Sequence, residues 1–162
     1  VSVVEHDGGA TIQTLQPAAT VAEVDYRVRV PAGVRFVGRT ANGKVEAHGL
    51  ESPVDAETVN GNIDIETSSS LQARAVNGSI TARLSPASDA PPSTLETVNG
   101  SVTLALPDRS PASIEATTLY GSINSRGPSF RRDLQRRRNG APHVHLRTIS
   151  GNINIFRAAS RP

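Results

Sequence analysis

Small apolar residues alternate with polar ones along much of the chain, and a pair such as Asn-Gly regularly interrupts the alternation. The phrases "ETVNGSVTL", "AETVNGNIDI" and "ARAVNGSITA" share this pattern, and "GRTANGKVEA", "ATTLYGSINS" and "LRTISGNINI" repeat it more loosely. Alternation with a period of two predicts strands with one buried face. Since Asn-Gly between two such strands also indicates a β-hairpin, the six phrases are either six hairpins or six units of a repeat.

The spacing of the phrases favours a repeat. Their glycines are Gly43, Gly61, Gly78, Gly100, Gly121 and Gly151, at intervals of 18, 17, 22, 21 and 30 residues. Repeats of this length that cannot bury a face alone typically stack into a solenoid. Equivalent inward positions are small or apolar in every unit. Before the glycine one such column is Gly38, Ala56, Ala73, Leu95, Ala116 and Leu146, and after it another is Val45, Ile63, Ile80, Val102, Ile123 and Ile153.

One outward column separates the two interpretations. Its residues are Arg39, Glu57, Arg74, Glu96, Thr117 and Arg147, so the charge alternates over the first four units. If each strand pairs with its equivalent in the next unit, every carboxylate lies between two guanidinium groups. Hairpins leave this pattern unexplained. Stacking of the units is therefore the favoured prediction, and an antiparallel meander or sandwich is the alternative.

The glycine pairs are then predicted to be corners between the two strands of a unit. The predicted structural corner residues are Asn42, Gly43, Asn60, Gly61, Asn77, Gly78, Asn99 and Gly100. Stacked asparagines form ladders of side-chain amide bonds. Asn and Gly also tolerate left-handed backbone, which a sharp corner often requires. Tyr120 and Ser150 replace Asn in the last two units, where the ladder is expected to weaken or end.

The predicted fold class is all-β, a single-stranded right-handed parallel β-helix with about six clear rungs. Residues 1–162 form one domain in this interpretation, with residues 1–36 as atypical N-terminal rungs or a cap and 37–125 as the core repeats. Residues 126–143 are an Arg-rich insertion, and 144–162 are the last rung and a tail. The chain opens at Val1 and contains no Met, so we interpret it as a fragment of a longer precursor.

The composition excludes several kinds of functional site. The chain has no Cys, which excludes disulfides, Cys-ligated zinc and a thiol nucleophile. The net charge is only +2, so it indicates no polyanion partner by itself. No apolar run approaches the roughly 18 residues needed to span a bilayer as a helix.

The Arg-rich insertion is the one strongly charged segment. It contains Arg131, Arg132, Arg136, Arg137 and Arg138. Clustered guanidinium groups suit phosphate or sulfate, so a polyanion or glycan site is one hypothesis. A solvated surface excursion and a protein contact are the alternatives. Phe130 is the only aromatic residue there, which disfavours single-stranded nucleic acid, and no nucleic-acid partner is expected.

Candidate catalytic and metal residues are few. His143 and His145 are spaced to share one side of a strand, but no third ligand lies nearby in the sequence. Glu46 and Asp64 fall at equivalent outward positions of neighbouring units, as an acid and base of a polysaccharide lyase or hydrolase would. Ser150 occupies a corner and is explained as a substitute for Asn. We therefore predict no catalytic residue, no metal and no cofactor.

The run "VDYRVRVPAGVRFVGRTANGKVEAHGLESPVDAETVNGNIDI" ends a strand in Val-Pro-x-Gly and continues into Thr-x-Asn-Gly-x-[Ile/Val] units. It resembles a bacterial adhesin-type family of β-strand-repeat domains of unknown function, related to the head domains of autotransporter adhesins. The resemblance covers roughly residues 21–156. It implies a right-handed parallel β-helix at the bacterial cell envelope or outside the cell, without catalytic residues.

The predicted function is accordingly a non-enzymatic envelope or extracellular β-solenoid that acts as a scaffold or adhesin. Its ligand would be a surface glycan, an anionic polymer or a protein. Two further hypotheses remain open. One is self-assembly into homo-oligomers through the ends of the solenoid, where strand edges are unpaired. The other is polyanion binding through the Arg-rich insertion.

Overall fold

The structure is a computed structural model that describes residues 2–6, 9–13, 27–87, 89–108, 110, 112–126 and 142–158. Every regular element in these residues is a β-strand. Two N-terminal strands are β1 (Ser2–His6) and β2 (Gly9–Gln13). The others are β3 (Phe36–Asn42), β4 (Val45–Leu50), β5 (Val54–Asn60), β6 (Ile63–Thr67), β7 (Leu71–Asn77), β8 (Ile80–Leu84), β9 (Ser93–Asn99), β10 (Val102–Pro107), β11 (Ser113–Tyr120), β12 (Ile123–Arg126), β13 (His143–Ser150) and β14 (Ile153–Ala158).

Strands β3 to β14 come in consecutive pairs, and each pair flanks one glycine of the repeat; we call each pair a rung. The first strands of the rungs form one six-stranded sheet, and the second strands form another. All pairing within both sheets is parallel. The predicted all-β class and the parallel stacking of units are confirmed, and the hairpin interpretation of the repeat is wrong. The architecture is β-solenoid-like.

Equivalent residues are aligned from rung to rung, apart from a register shift between Ala47 and Leu50 of β4. Ala56 pairs with Ala73, and Ile63 pairs with Ile80. The two sheets enclose a narrow core of alternate residues from every strand of the stack except β12, as period-two alternation requires. Fully buried members include Ile65, Leu95 and Leu104. Among the described residues no aromatic side chain is fully buried, so the thickness of the core is set by Ile, Leu, Val and Ala.

The spatial order of the rungs differs from their order in the sequence. In the first sheet the order is β11-β13-β9-β7-β5-β3, and in the second it is β12-β14-β10-β8-β6-β4. The last rung, β13–β14, therefore lies between β9–β10 and β11–β12. This corrects the expectation that each unit stacks on the next one in the chain.

The inward side chains explain why the last rung lies inside the stack. Val144, Leu146 and Ile153 are buried between two rungs. In the rung β11–β12, which we call the outer rung, Ser125 occupies an inward position but is exposed, and Ile123 is 47% exposed. The more apolar rung takes the position with two neighbours, because each neighbour removes apolar surface from water.

The first two strands are separate from the parallel stack. Strands β1 and β2 pair antiparallel as a two-stranded sheet, so they are not parallel rungs, and the alternative that residues 1–36 form a cap stays a prediction. Only Asp7 and Gly8 separate them in the sequence. A connection of two residues suits antiparallel strands, since parallel strands need a much longer crossover. Residues 14–26, which belong to the predicted atypical rungs, lie outside the described residues.

The rung order predicts which engineered cysteine pairs form disulfides in a chain that has no Cys of its own. Thr94 is aligned with His145 on the adjacent strand, so their Cα atoms are about 4.8 Å apart, within the disulfide range of about 4.4–6.8 Å. Glu115 lies one strand further, at about 9.6 Å. We expect the double variant Thr94→Cys/His145→Cys to oxidise fully, as measured by thiol titration and peptide mapping.

The matched control is Thr94→Cys/Glu115→Cys, which should keep two free thiols. If the control pair oxidises and the first pair does not, the rungs stack in chain order and the inserted position of β13–β14 is wrong.

Candidate binding surface

The outward side of the first sheet carries three adjacent columns of side chains; we call it the ladder face. The first is the charge column. Following the spatial order of the rungs, it is Arg39, Glu57, Arg74, Glu96, Arg147 and Thr117. Because the last rung is inserted, Arg147 follows Glu96 directly. The charge therefore alternates over five rungs, one more than chain order predicts.

Ion pairs connect the charge column along the stack. Arg39 Nε lies 3.1 Å from Glu57 Oε2, and Arg74 Nη1 lies 3.5 Å from Glu57 Oε1. Arg74 Nε lies 3.4 Å from Glu96 Oε2. The prediction that Glu57 lies between two guanidinium groups is confirmed. The arginine side chains are exposed and the glutamate side chains are half-buried, so each pair contributes at most about 1 kcal/mol to stability.

The second column is apolar and exposed. It consists of the residue two positions before each repeat glycine, in spatial order Ala41, Val59, Val76, Val98, Ile149 and Leu119. The five larger side chains are between 37% and 68% exposed. Scattered exposed apolar residues are ordinary, but here one lies on every strand of the sheet, so they form a continuous stripe.

The third column lies at the corner, where asparagine side chains bond along the stack. Asn60 Nδ2 donates to Asn42 Oδ1 at 2.9 Å, Asn77 Nδ2 to Asn60 Oδ1 at 3.0 Å, and Asn99 Nδ2 to Asn77 Oδ1 at 3.0 Å. Ser150 and then Tyr120 continue the column towards the outer rung. The amide is suited to this role because it carries both a donor and an acceptor.

Backbone contact explains the glycine at each of three central corners. A Cβ placed on Gly61, Gly78 or Gly100 would lie between 1.7 and 2.1 Å from the carbonyl oxygen of the preceding rung's glycine. A left-handed backbone is not the reason at these three glycines, since their φ is not positive, and no described residue other than Gly has positive φ. This corrects the predicted left-handed role for Asn and for these three glycines, whereas Gly43 and Gly151 do have positive φ, of 134° and 153°. The close approach of neighbouring backbones excludes any side chain.

Two further sets of hydrogen bonds fix the corner. Threonine hydroxyls before the corner donate to a glycine carbonyl of the adjacent rung, as from Thr97 to Gly78 at 2.8 Å and from Thr148 to Gly100 at 2.9 Å. On the other side of the corner, a side-chain oxygen accepts from the next rung's backbone, as when the Ser79 N–H donates to Asn62 Oδ1 at 2.9 Å. The Thr and Asn side chains of the Thr-x-Asn-Gly phrase thus form hydrogen bonds between adjacent rungs.

The charge and apolar columns line an open groove of about 760 Å³ on the ladder face. Its lining includes the apolar residues Val59, Val76, Val98 and Ile149 together with the charged residues Arg39, Glu57, Arg74, Glu96 and Arg147. The exposed apolar column was not predicted from the sequence. The sequence does show an apolar residue before Asn in each "VNG" phrase. Alternation alone, however, does not show whether that residue points outward from the sheet or belongs to the corner.

The predicted Arg-rich site lies outside the described residues. Arg131, Arg132, Arg136, Arg137 and Arg138 all belong to residues 127–141, so its anion-binding hypothesis stays a prediction. The predicted corner residues, by contrast, are brought together in one column beside the groove.

His143 and His145 lie on the ladder face at the beginning of β13. Their ring centroids are 6.4 Å apart, and His145 Nδ1 lies 3.2 Å from Glu115 Oε2. Among the described residues, no group of three or more His, Asp or Glu side chains is arranged to hold a metal ion. His145 and Glu115 are thus placed to form an ion pair between β13 and β11.

Glu46 and Asp64 are adjacent on the second sheet, as their spacing predicted. Each contacts a cation: the Lys44 ammonium donates a hydrogen bond to Glu46, and Arg83 Nη1 lies 3.6 Å from Asp64 Oδ1. The bond from Lys44 lowers the pKa of Glu46 below its ordinary value of 4.5, and the same bond raises the pKa of Lys44 above 10.5. A glycosidase acid needs the opposite shift of its carboxyl pKa, because it must hold a proton near neutral pH.

Parallel rungs in register, with columns of like residues along the stack, define a β-solenoid-like repeat domain. The sequence model of the Toastrack family, DUF4097, matches residues 32–156, and the chain belongs to this family of unknown function. No curated protein and no solved structure matches the chain. In the part of the chain that the structure describes, no helix is long and apolar enough to cross a membrane.

The corner geometry predicts a large effect of adding one methyl group. Gly78→Ala places a Cβ 1.7 Å from the Gly61 carbonyl oxygen, so the two rungs must separate. We expect a loss of about 2–3 kcal/mol in the free energy of unfolding, measured by urea denaturation. Gly33→Ala is the control, because nothing lies within 4 Å of its Cβ and only its φ of +84° opposes the change. It should cost about 1 kcal/mol. Equal costs would contradict the stacking argument.

The Lys44–Glu46 bond predicts a pH effect at the second sheet. Since the folded-state pKa of Glu46 is below the unfolded-state value, the bond stabilises the fold above the unfolded pKa and is lost as the pH falls through the folded one. We expect an NMR titration of the Glu46 carboxyl to have its midpoint below 4.5. In Lys44→Ala the midpoint should rise. A midpoint above 4.5 in the unmodified protein would revive Glu46 as a general acid.

Proposed function

We propose that this domain is a non-enzymatic scaffold of the bacterial cell envelope or the cell exterior, and that the ladder face is its docking surface. The observation that carries the proposal is the exposed apolar column. An apolar residue on each of six strands, beside paired charges and asparagine amides, offers a ligand both apolar area and polar bonds. Docking surfaces of proteins combine these features.

The absence of a catalytic role is inferred from how the acidic groups are used. Glu57 pairs with guanidinium groups on both neighbouring rungs, and Glu46 pairs with the ammonium group of Lys44. These carboxylates are engaged in structural ion pairs rather than aimed at a common point where a substrate could react. An adhesive or scaffolding role needs a stable, repetitive surface and no catalytic acid.

Location at the envelope is supported by the resemblance of residues 21–156 to adhesin-type β-strand-repeat domains. The finer fold belongs to the same proposal: a right-handed parallel β-helix with corners at the repeat glycines. Its handedness is supported by the rule that connections between parallel strands of one sheet are right-handed in about 98% of cases.

A second candidate function is polyanion or glycan binding through Arg131, Arg132, Arg136, Arg137 and Arg138. Five guanidinium groups in eight residues favour it, because guanidinium pairs with phosphate and sulfate. In this case the rungs would be a passive support, and the ladder face would not be needed for binding.

The scaffold proposal predicts binding without turnover. We expect the protein to be retained on an array of bacterial and host glycans, anionic polymers and envelope proteins, and to release no product from any polysaccharide. Val98→Lys should abolish retention if the ladder face is the docking surface. Thr103→Lys, at an outward half-buried position on the second sheet, is the control and should bind normally.

The triple variant Arg136→Ala/Arg137→Ala/Arg138→Ala separates the two candidates. Loss of salt-sensitive retention in this variant alone would assign binding to the Arg-rich insertion. Release of sugar products by the unmodified protein would overturn the non-enzymatic proposal.

A further inference from the structure

The ladder face has a property that a general docking surface does not need: it is complementary to itself. Consider a two-fold axis that lies in the interface, perpendicular to the stack, and passes midway between β7 and β9. The axis places each strand of the sheet opposite the strand at the mirrored position in a second copy. Since the sheet has six strands and the axis is central, every strand has a partner.

The charges match in this arrangement. Arg74 of one copy faces Glu96 of the other, and Glu57 faces Arg147. An alternating column always opposes unlike charges when it is reversed about a point between two adjacent rungs. A two-fold axis parallel to the stack and centred on the charge column would instead place each rung opposite itself, so that Arg39 faces Arg39. The alternation therefore favours one of the two face-to-face orientations and disfavours the other.

The apolar column matches in the same arrangement. Val76 faces Val98, and Val59 faces Ile149. At the ends, the small Ala41 faces Leu119, which is 68% exposed in the single copy. One operation thus pairs unlike charges, pairs apolar residues and matches a small side chain with a large one.

The area is sufficient for a stable dimer. Six strands at about 4.8 Å spacing and seven residues at about 3.3 Å give a footprint of about 650 Å² on each copy. Two copies would bury about 1,300 Å², within the roughly 1,200–2,000 Å² of specific interfaces. Packed sheets of this kind lie about 10 Å apart with their strand directions nearly aligned.

We propose that the partner of the ladder face is a second copy of this chain, in a closed two-fold dimer centred between β7 and β9. This inference rests on the proposed use of the ladder face for docking. It names the occupant and the register. It differs from assembly through the ends of the stack, which would involve the edge strands β3 and β11 and would not close.

The test is sedimentation equilibrium of the full chain. The unmodified protein should be a dimer at micromolar concentration. Val76→Glu and Val98→Lys each place an unpaired charge opposite a valine of the partner, so each should raise the dissociation constant by about thirtyfold or more. An equimolar mixture of the two variants should dimerise again, because the introduced carboxylate of one copy then faces the introduced ammonium group of the other. The Thr103→Glu and Thr103→Lys variants should remain dimers.

Val59→Lys tests the register, since it should fail to rescue Val76→Glu. Rescue by Val59→Lys would move the axis by one rung, to a point between β5 and β7, and overturn the central register. A monomeric unmodified protein, or variants that stay dimeric, would overturn the ladder-face dimer. Circular dichroism and thermal melting establish that each variant is folded. Array binding by a monomeric protein would leave the scaffold proposal standing, so the failure of one inference is distinguishable from the failure of the other.

Discussion

The close stacking of the corner glycines is the constraint on which the remaining structure depends. Five of the six repeat glycines leave no room for a Cβ beneath the carbonyl of the adjacent rung. The backbones therefore stack at one register only, and residues at equivalent positions must lie in columns. A shift of one residue would turn every inward side chain outward and place a side chain where only glycine fits. The hydrogen bonds of Thr97 and Asn77 across the rungs reinforce the same register.

Once the register is fixed, each column must consist of side chains that tolerate stacking on their own kind. Apolar residues do so inside the core. Asparagine does so at the corner because its amide both donates and accepts. Side chains of like charge repel each other when they are stacked, and the charge column avoids this repulsion by alternating between Arg and Glu. The same rule explains the inserted rung, because it places Arg147 beside Glu96, whereas chain order would put Thr117 there.

The columns, the corners and the parallel pairing follow from the sequence because they depend on local periodicity. The rung order does not, since the backbone bonds of any two adjacent rungs are equivalent and only side-chain preferences distinguish the possible orders. The charge of Arg147 and the interval of 30 residues before Gly151 were the available signals. The role of Gly78 was misjudged for a related reason: a sequence shows that glycine is required, but not whether backbone conformation or a neighbouring backbone requires it. The apolar column was overlooked because Val76 and Val98 look like core residues until the corner is located.

Association through the ladder face would give a closed dimer, whereas association through the ends of the stack could continue indefinitely. Among the described residues β3 and β11 are the edge strands of the first sheet, and pairing of the β3 edge of one copy with the β11 edge of the next would add copies without limit, as in cross-β assemblies. Pairing through the ladder face uses the same surface on both copies and therefore stops at two. The outer rung already opposes growth at its end, since Ser125 takes an inward position and Tyr120 replaces the corner Asn. Columns of like residues would favour the addition of further copies at the ends of the stack, so features that block this addition are needed. A ladder face that pairs only with its own copy would limit association to a dimer.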